Sequence, residues 1–192
     1  MNIIEVIKSG DYLVLDTETT GLGDKDEICQ ITIIDSKGKI LMDTLVKPVK
    51  PIPAEATAIH GITNEMVELI HQFPHKELND ILYKRNIIVY NADYDVRMLY
   101  QSAETIGLGI HTDWKVLASF YCAMKHFSQI YGDWNDYYKS YRWQKLSTAC
   151  AYYKIPITKK HGALEDCLLT LEVCRAMVGN RKIEEIQGEL PF

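Results

Sequence analysis

Two short apolar runs, Tyr12-Leu-Val-Leu-Asp16 and Asn86-Ile-Ile-Val-Tyr90, each lead straight into carboxylates: Asp16-Thr17-Glu18 after the first, Asp93-Tyr94-Asp95 after the second. The first run, ending before Gly21 and Gly23, predicts a strand followed by a turn, and the second predicts a buried strand. The first acids thus stand at a strand end and the second at the start of the next helix. Glu27–Asp35 and Lys39–Lys47, joined through Ser36-Lys37-Gly38, predict an antiparallel hairpin. Pro48, Pro51 and Pro53 then forbid regular structure for several residues.

Helices are expected from Thr63 as N-cap, with Met66, Val67, Leu69 and Ile70 as the apolar face, and over Lys76–Tyr83. Others are expected from about Asp93 to Ile106, with Val96, Leu99, Tyr100 and Ala103 facing inward, over Trp143–Lys154 and over Gly162–Val178. Residues 114–143 hold more than half of the aromatic side chains, and helices without defined boundaries are expected there. Strands alternating with helices make an α/β chain of one domain, with no internal repeat.

Composition narrows the function. Apolar types make up 47% and charged types 24% of the chain, which excludes a disordered or fibrous protein. No apolar run reaches the roughly 18 residues of a membrane helix, and Glu5 interrupts the apolar start, so neither a membrane partner nor a signal peptide is expected. The five cysteines (Cys29, Cys122, Cys150, Cys167 and Cys174) form no CxxC pair and read as reduced thiols of a cytoplasmic protein. A formal net charge of −5 disfavours a protein that only coats nucleic acid. It does not disfavour a metal-dependent enzyme, because bound cations neutralise both carboxylates and a substrate phosphate.

Asp16 and Glu18, two apart on a strand, project from one face. Such a pair is costly unless a cation balances it, and hard oxygen donors suit Mg²⁺ or Mn²⁺. A solvated strand end carries the same letters. Asp93 suits an N-cap, which leaves Asp95, two residues further on, as the better ligand candidate. Near the C-terminus stands His161-Gly-Ala-Leu-Glu-Asp166. Positions five apart on a helix differ by about 140°, so His161 and Asp166 converge only if His161 sits on the loop or frayed turn before the helix, where Gly162 gives the freedom.

Together, Asp16-x-Glu18, Asn91-x-x-Tyr94-Asp95 and His161-x-Ala163-x-x-Asp166 resemble the motifs of the DEDDh 3′→5′ exonucleases. That family includes the proofreading subunit of bacterial replicative polymerase, RNase T, oligoribonuclease and the TREX enzymes. LDTETTGL at 15–22, AIHGITNEM at 58–66, IVYNADYDVRML at 88–99 and KLSTACAYYKI at 145–155 extend the similarity over about residues 11–178. Departures are the aromatic-rich stretch 119–143 and Tyr94, where the family usually has Phe.

The resemblance implies an RNase H-like fold, a mixed five-stranded sheet flanked by helices, as an exonuclease domain over 1–178 with a tail at 179–192. It also implies two divalent ions held by Asp16, Glu18, Asp95 and Asp166, and His161 as general base for the attacking water, an imidazole titrating near ~6.5 being well matched to that task. Thr17 and Glu18 would meet the terminal 3′-hydroxyl, Leu22 would wedge against the last bases, and His60 and Asn91 would line the groove; Leu22 and His60 also read as packing residues. The substrate implied is a single-stranded DNA 3′ end, with RNA as the alternative, and a catalytically silent end-binding or polymerase-tethering module as the alternative of another class.

For the strand beyond the pocket, Tyr137, Tyr138, Lys139, Tyr141, Arg142, Trp143 and Lys145 offer stacking and charge. Rings at these spacings also suit a core. Lys154, Lys159 and Lys160 are candidate phosphate contacts. In the tail, Gln187-Gly-Glu-Leu190-Pro-Phe192 resembles the short QxxLxF peptide that binds the bacterial sliding clamp, with Leu190 and Phe192 filling an apolar pocket and Gln187 bonding at its rim. The alternative is a tail folded onto its own domain or frayed.

Overall fold

A computed structural model describes residues 1–109, 113–157 and 162–179. Lys159, Lys160, His161 and the tail residues Gln187, Leu190 and Phe192 lie outside the described residues.

Both acid-terminated runs are strands, β1 (Leu13–Thr19) and β4 (Asn86–Val89), and they lie side by side in parallel. The hairpin forms as expected, from β2 (Ile28–Asp35) and β3 (Ile40–Leu45). With β5 (Ser119–Cys122) beside β4, the sheet has the order β3-β2-β1-β4-β5, and only β2 runs against the rest. It is the mixed five-stranded sheet expected from the resemblance.

One face of the sheet, through Val14, Ile34 and Ile88, packs on α1 (Ile3–Ser9), α7 (Ala123–Tyr131), α8 (Leu146–Tyr152) and α9 (Ala163–Val178). The other, through Leu13, Leu15, Ile31, Ile33, Ile87 and Val89, packs on α4 (His75–Leu82), α5 (Ala92–Thr105) and α6 (Trp114–Leu117). Burial from both sides is why β1 and β4 are continuously apolar.

Several elements depart from the sequence reading. Helix α1 was not expected; Asn2 and Glu5 close a reciprocal capping box, and Gly10, in the left-handed conformation, ends the helix. A further helix, α2 (Ala54–His60), begins directly after Pro53 and ends at left-handed Gly61. Thr63 does cap α3 (Asn64–Val67), but that helix is one turn long and buries only Val67. Met66, Leu69 and Ile70 are exposed: a single turn presents one position to the core, and 69 and 70 lie past its end.

Helix α5 starts one residue earlier than expected, with Asn91 at the N-cap position. Asp93 is thereby inside the first turn and pairs with Lys125 Nζ at 2.6 Å instead of capping. The stretch 114–143 is not all helix; it contains β5 and a small hairpin, β6 (Trp134–Asn135) with β7 (Ser140–Tyr141). Four residues of β5 are too few to show a period, and their pairing with β4 is a tertiary event. Among the described residues no helix is long and apolar enough to cross a membrane, and all five cysteines are free thiols.

Candidate active site

Alternation along β1 puts Asp16 and Glu18 on the α9 side of the sheet. Asp166 meets them from the first turn of α9, which begins at Ala163 with Gly162 at the N-cap position. That turn is held close by Ala163, fully buried and small, and by the Cys167 thiol, which lies against the Val14 and Thr32 carbonyls at 3.7 and 3.5 Å. Carboxylate oxygens of Asp16, Glu18 and Asp166 all come within 4.8 Å of one another. Among the described residues this is the one group of three metal-ligating side chains so close together.

Asp95 arrives from the opposite face, and strand pairing explains how. β1 and β4 pair only at Leu13–Ile87 and Val14–Ile88. Past that point β1 runs on to Thr19 while the segment after β4 turns into α5, so a notch opens beside β1. Asp95 fills it, buried, with its Oδ1 accepting a 2.7 Å bond from Thr17 Oγ1. At the tip of β1 the register shifts between Glu18 and Thr19: Glu18 faces Gln30 but Thr19 faces Ile28, so β2 carries one extra residue and the strand bends there.

The electrostatics follow from crowding. Burial, then the charges of Asp95, Asp166 and Glu18, push the Asp16 carboxyl well above the usual range. Burial, then Asp166 and Asp95, push Glu18 up to about 7. Burial also raises Asp95 to about 7, against the lowering effect of its bonds to Thr17. Three carboxyl groups that resist ionisation together, with Asp166 beside them, need a compensating positive charge. An all-oxygen donor set with this spacing fits hard divalent cations of the Mg²⁺ or Mn²⁺ kind.

Beside the acids, the loop from Thr20 to Glu27 is braced at nearly every polar group. Tyr94 Oη sits 2.5 Å from Thr19 Oγ1 and donates to the Gly21 carbonyl at 2.9 Å. Arg97 donates to the carbonyls of Leu22 (3.1 Å) and Gly23 (3.2 Å), and Gln101 to those of Gly23 (3.1 Å) and Asp26 (2.8 Å). Within the loop, Asp26 accepts from Thr20 Oγ1 and from the Gly23 amide. This frame holds Leu22 out into solvent, 79% exposed.

Of the other sequence candidates, Thr17 is buried under its bond to Asp95. Asn91 is half-buried at the start of α5, where its carbonyl takes the Tyr94 and Asp95 amides and its side chain makes no cap bond. His60 ends α2; its Nδ1 accepts from the Ile62 amide at 3.0 Å and its Nε2 lies 3.8 Å from Cys29 Sγ, while burial lowers its pKa. Both contacts stay within the protein, the first inside the loop and the second to β2. Tyr94, Arg97, Gln101 and Cys167 were missed as contributors. Tyr94, Arg97 and Gln101 were readable in principle, since positions i, i+3 and i+7 of a helix form one polar stripe.

Residues 13–174 match the RNase_T exonuclease family, and the chain belongs to that family of DnaQ-like nucleases. It is 43% identical over 171 residues to an uncharacterised exonuclease of Escherichia phage 186, covering 87% of this chain and 88% of the phage protein. It is 28% identical over 183 residues to DNA polymerase III subunit epsilon of Rickettsia conorii, covering 88% of this chain and 74% of that subunit. Among solved structures, exonuclease X in complex with 5′-overhanging duplex DNA superposes with a TM-score of 0.63 at 23% identity, over 89% of this chain and 92% of that one.

Proposed function

We propose that the protein is a metal-dependent 3′→5′ exonuclease that releases nucleoside 5′-monophosphates from single-stranded or frayed DNA 3′ ends. The observation that carries the reading is the convergence of Asp16, Glu18 and Asp166 oxygens within 4.8 Å, with Asp95 closing the hollow from the opposite face of the sheet. Asp16, Glu18 and Asp166 would hold two divalent ions and Asp95 would orient that set. Bound there, the ions neutralise carboxylates and scissile phosphate and lower the pKa of water.

The remaining work falls to the chain's own groups. His161, on the segment just before α9, accepts the proton of the attacking water. The new P–O bond forms as the bond from phosphorus to the penultimate 3′ oxygen breaks, and that oxygen leaves with a proton. Thr17 and Glu18 meet the terminal 3′-hydroxyl, Asn91 lines the groove, and exposed Leu22 stacks against the last base. DNA is favoured over RNA by the polymerase-subunit relative and by the fold neighbour bound to duplex DNA.

The test is product analysis on 3′-end series of DNA and RNA oligomers, with Mg²⁺ and with chelator. Asp16→Ala and Asp166→Ala should abolish release of mononucleotides, and His161→Ala should lower it by ~10²-fold or more. Full activity in any of the three, with metal present, would remove that residue from its assigned role.

A further inference from the structure

The aromatic residues of the β6–β7 hairpin face solvent, although rings at such spacing commonly fill a core. Tyr137 is 85% exposed, Tyr138 73% and Trp143 62%. The hairpin is nonetheless firmly built. Trp134 packs edge-on to Tyr141 at 5.0 Å between ring centroids, and Asn135 Oδ1 accepts both the Tyr137 and the Tyr138 amides. The Arg142 amide closes the hairpin on the Asp133 carbonyl at 2.8 Å. Tyr137 and Tyr138, at right angles and 4.8 Å apart, are therefore displayed at the tip of a fixed scaffold.

Its position is equally specific. The Gln144 carbonyl, just past the hairpin, accepts a 2.9 Å bond from the hydroxyl of Tyr90. Tyr90 is buried between the end of β4 and Asn91, at the end of the sheet where Glu18 and Asp95 emerge. The next element, α8, packs on α9, which bears Asp166. The charge is local too: Lys139 and Arg142 pair with Asp136 (3.9 Å) and Asp133 (3.6 Å), Lys145 adds a further cation, and residues 133–145 carry a net +1 in a chain of net charge −5.

We infer that this hairpin is a second binding element for the substrate strand: bases upstream of the 3′ end stack on Tyr137, Tyr138 and Trp143, and the phosphates between them meet the interleaved cations. The inference deepens the exonuclease reading and rests on it for the identity of the ligand. Single-stranded nucleic acid offers flat π faces alternating with negative charge, the complement of rings alternating with Lys and Arg. A protein interface would use the same rings, but the hairpin's place beside the acidic hollow favours the substrate strand as its occupant.

Binding of a 5′-fluorescein oligothymidylate of about 20 nucleotides, followed by anisotropy in chelator so that turnover is blocked, decides the matter. Stacking predicts that the Tyr137→Ala/Tyr138→Ala double variant binds it about tenfold more weakly or worse. The Tyr137→Phe/Tyr138→Phe pair, which keeps the π faces, should bind like the parent protein. Equal affinity in the alanine pair would overturn the inference, and so would equal loss in both pairs. Thermal melts of each variant exclude loss of fold. Release of mononucleotides by the parent protein in Mg²⁺ is scored separately, so failure of the exonuclease reading and failure of the hairpin's role give different results.

Discussion

At the scale of single residues, Gly21 shows how little room the candidate site leaves. A Cβ built there would meet Asp26 Oδ2 at 2.7 Å and Asp26 Cγ at 2.9 Å. The far end of a carboxylate usually swings away, but this one is tied to Thr20 Oγ1 at 2.8 Å and to the Gly23 amide at 2.6 Å. Gly21→Ala must break one of those bonds or shift the loop, at a cost of about 1–3 kcal/mol. Denaturant unfolding should register that loss, accompanied by a raised KM for oligonucleotides because Leu22 is displaced. The site's acids were more legible than its braces. Asp16 and Glu18 declared themselves by the period of a strand. Asp95 was separable from Asp93 because one carboxylate at the helix start had an ordinary electrostatic use, although that use is the ion pair to Lys125 rather than a cap. Tyr94 was noticed only as a departure from Phe. Its hydroxyl acquires meaning when two segments 75 positions apart meet at Thr19.

At the scale of elements, α5 performs two tasks with two faces. Met98, Leu99 and Ala103 are buried against the sheet, while Tyr94, Arg97 and Gln101 grip the loop that displays Leu22. Arg97 is the center of that grip, with its guanidinium over the Tyr94 ring at 5.3 Å and bonded to Gln101 at 2.7 Å. Arg97→Ala should leave the fold intact and let the loop move. The expected outcome is a KM several-fold higher with kcat largely kept, since no ligand of the metal hollow is touched; a fall in kcat alone would contradict the assignment. Long periodic elements such as α5 and α9 were read correctly from the sequence, because their apolar stripe is local information. The four residues of β5 and the single turn of α3 were not, since each exists through what it packs or pairs with. Helix α1 is a different case: Asn2, Glu5 and Gly10 mark both of its ends, and the signal was present but passed over.

At the scale of the whole molecule, the last six residues and the acidic hollow separate two kinds of behaviour. If Gln187, Leu190 and Phe192 bind a sliding clamp, deleting 187–192 abolishes clamp binding in a pull-down while mononucleotide release is unchanged; undiminished clamp binding would dismiss the tail. The hollow, by contrast, couples to stability. Glu18 and Asp95 titrate near 7 in the folded protein, and Asp16 is raised well above its ordinary range, against about 4 for such groups in an unfolded chain. Between those values the folded state holds protons that the unfolded state has released. Without metal, this contribution to stability is therefore complete below about pH 4 and declines as the pH rises through 7. Asp16→Asn removes a carboxyl that three other acids crowd, so the metal-free variant should melt several degrees above the metal-free parent at pH 8, the gap closing toward pH 5. Divalent cations compete with protons for the same oxygens and stabilise only the folded state. Added Mg²⁺ or Mn²⁺ should consequently raise the parent's melting temperature more at pH 8 than at pH 5 and reverse its order with the variant. A metal-free parent at least as stable as Asp16→Asn at pH 8 would mean that the carboxylates do not repel one another in the folded protein, and the crowding that calls for cations would lose its basis.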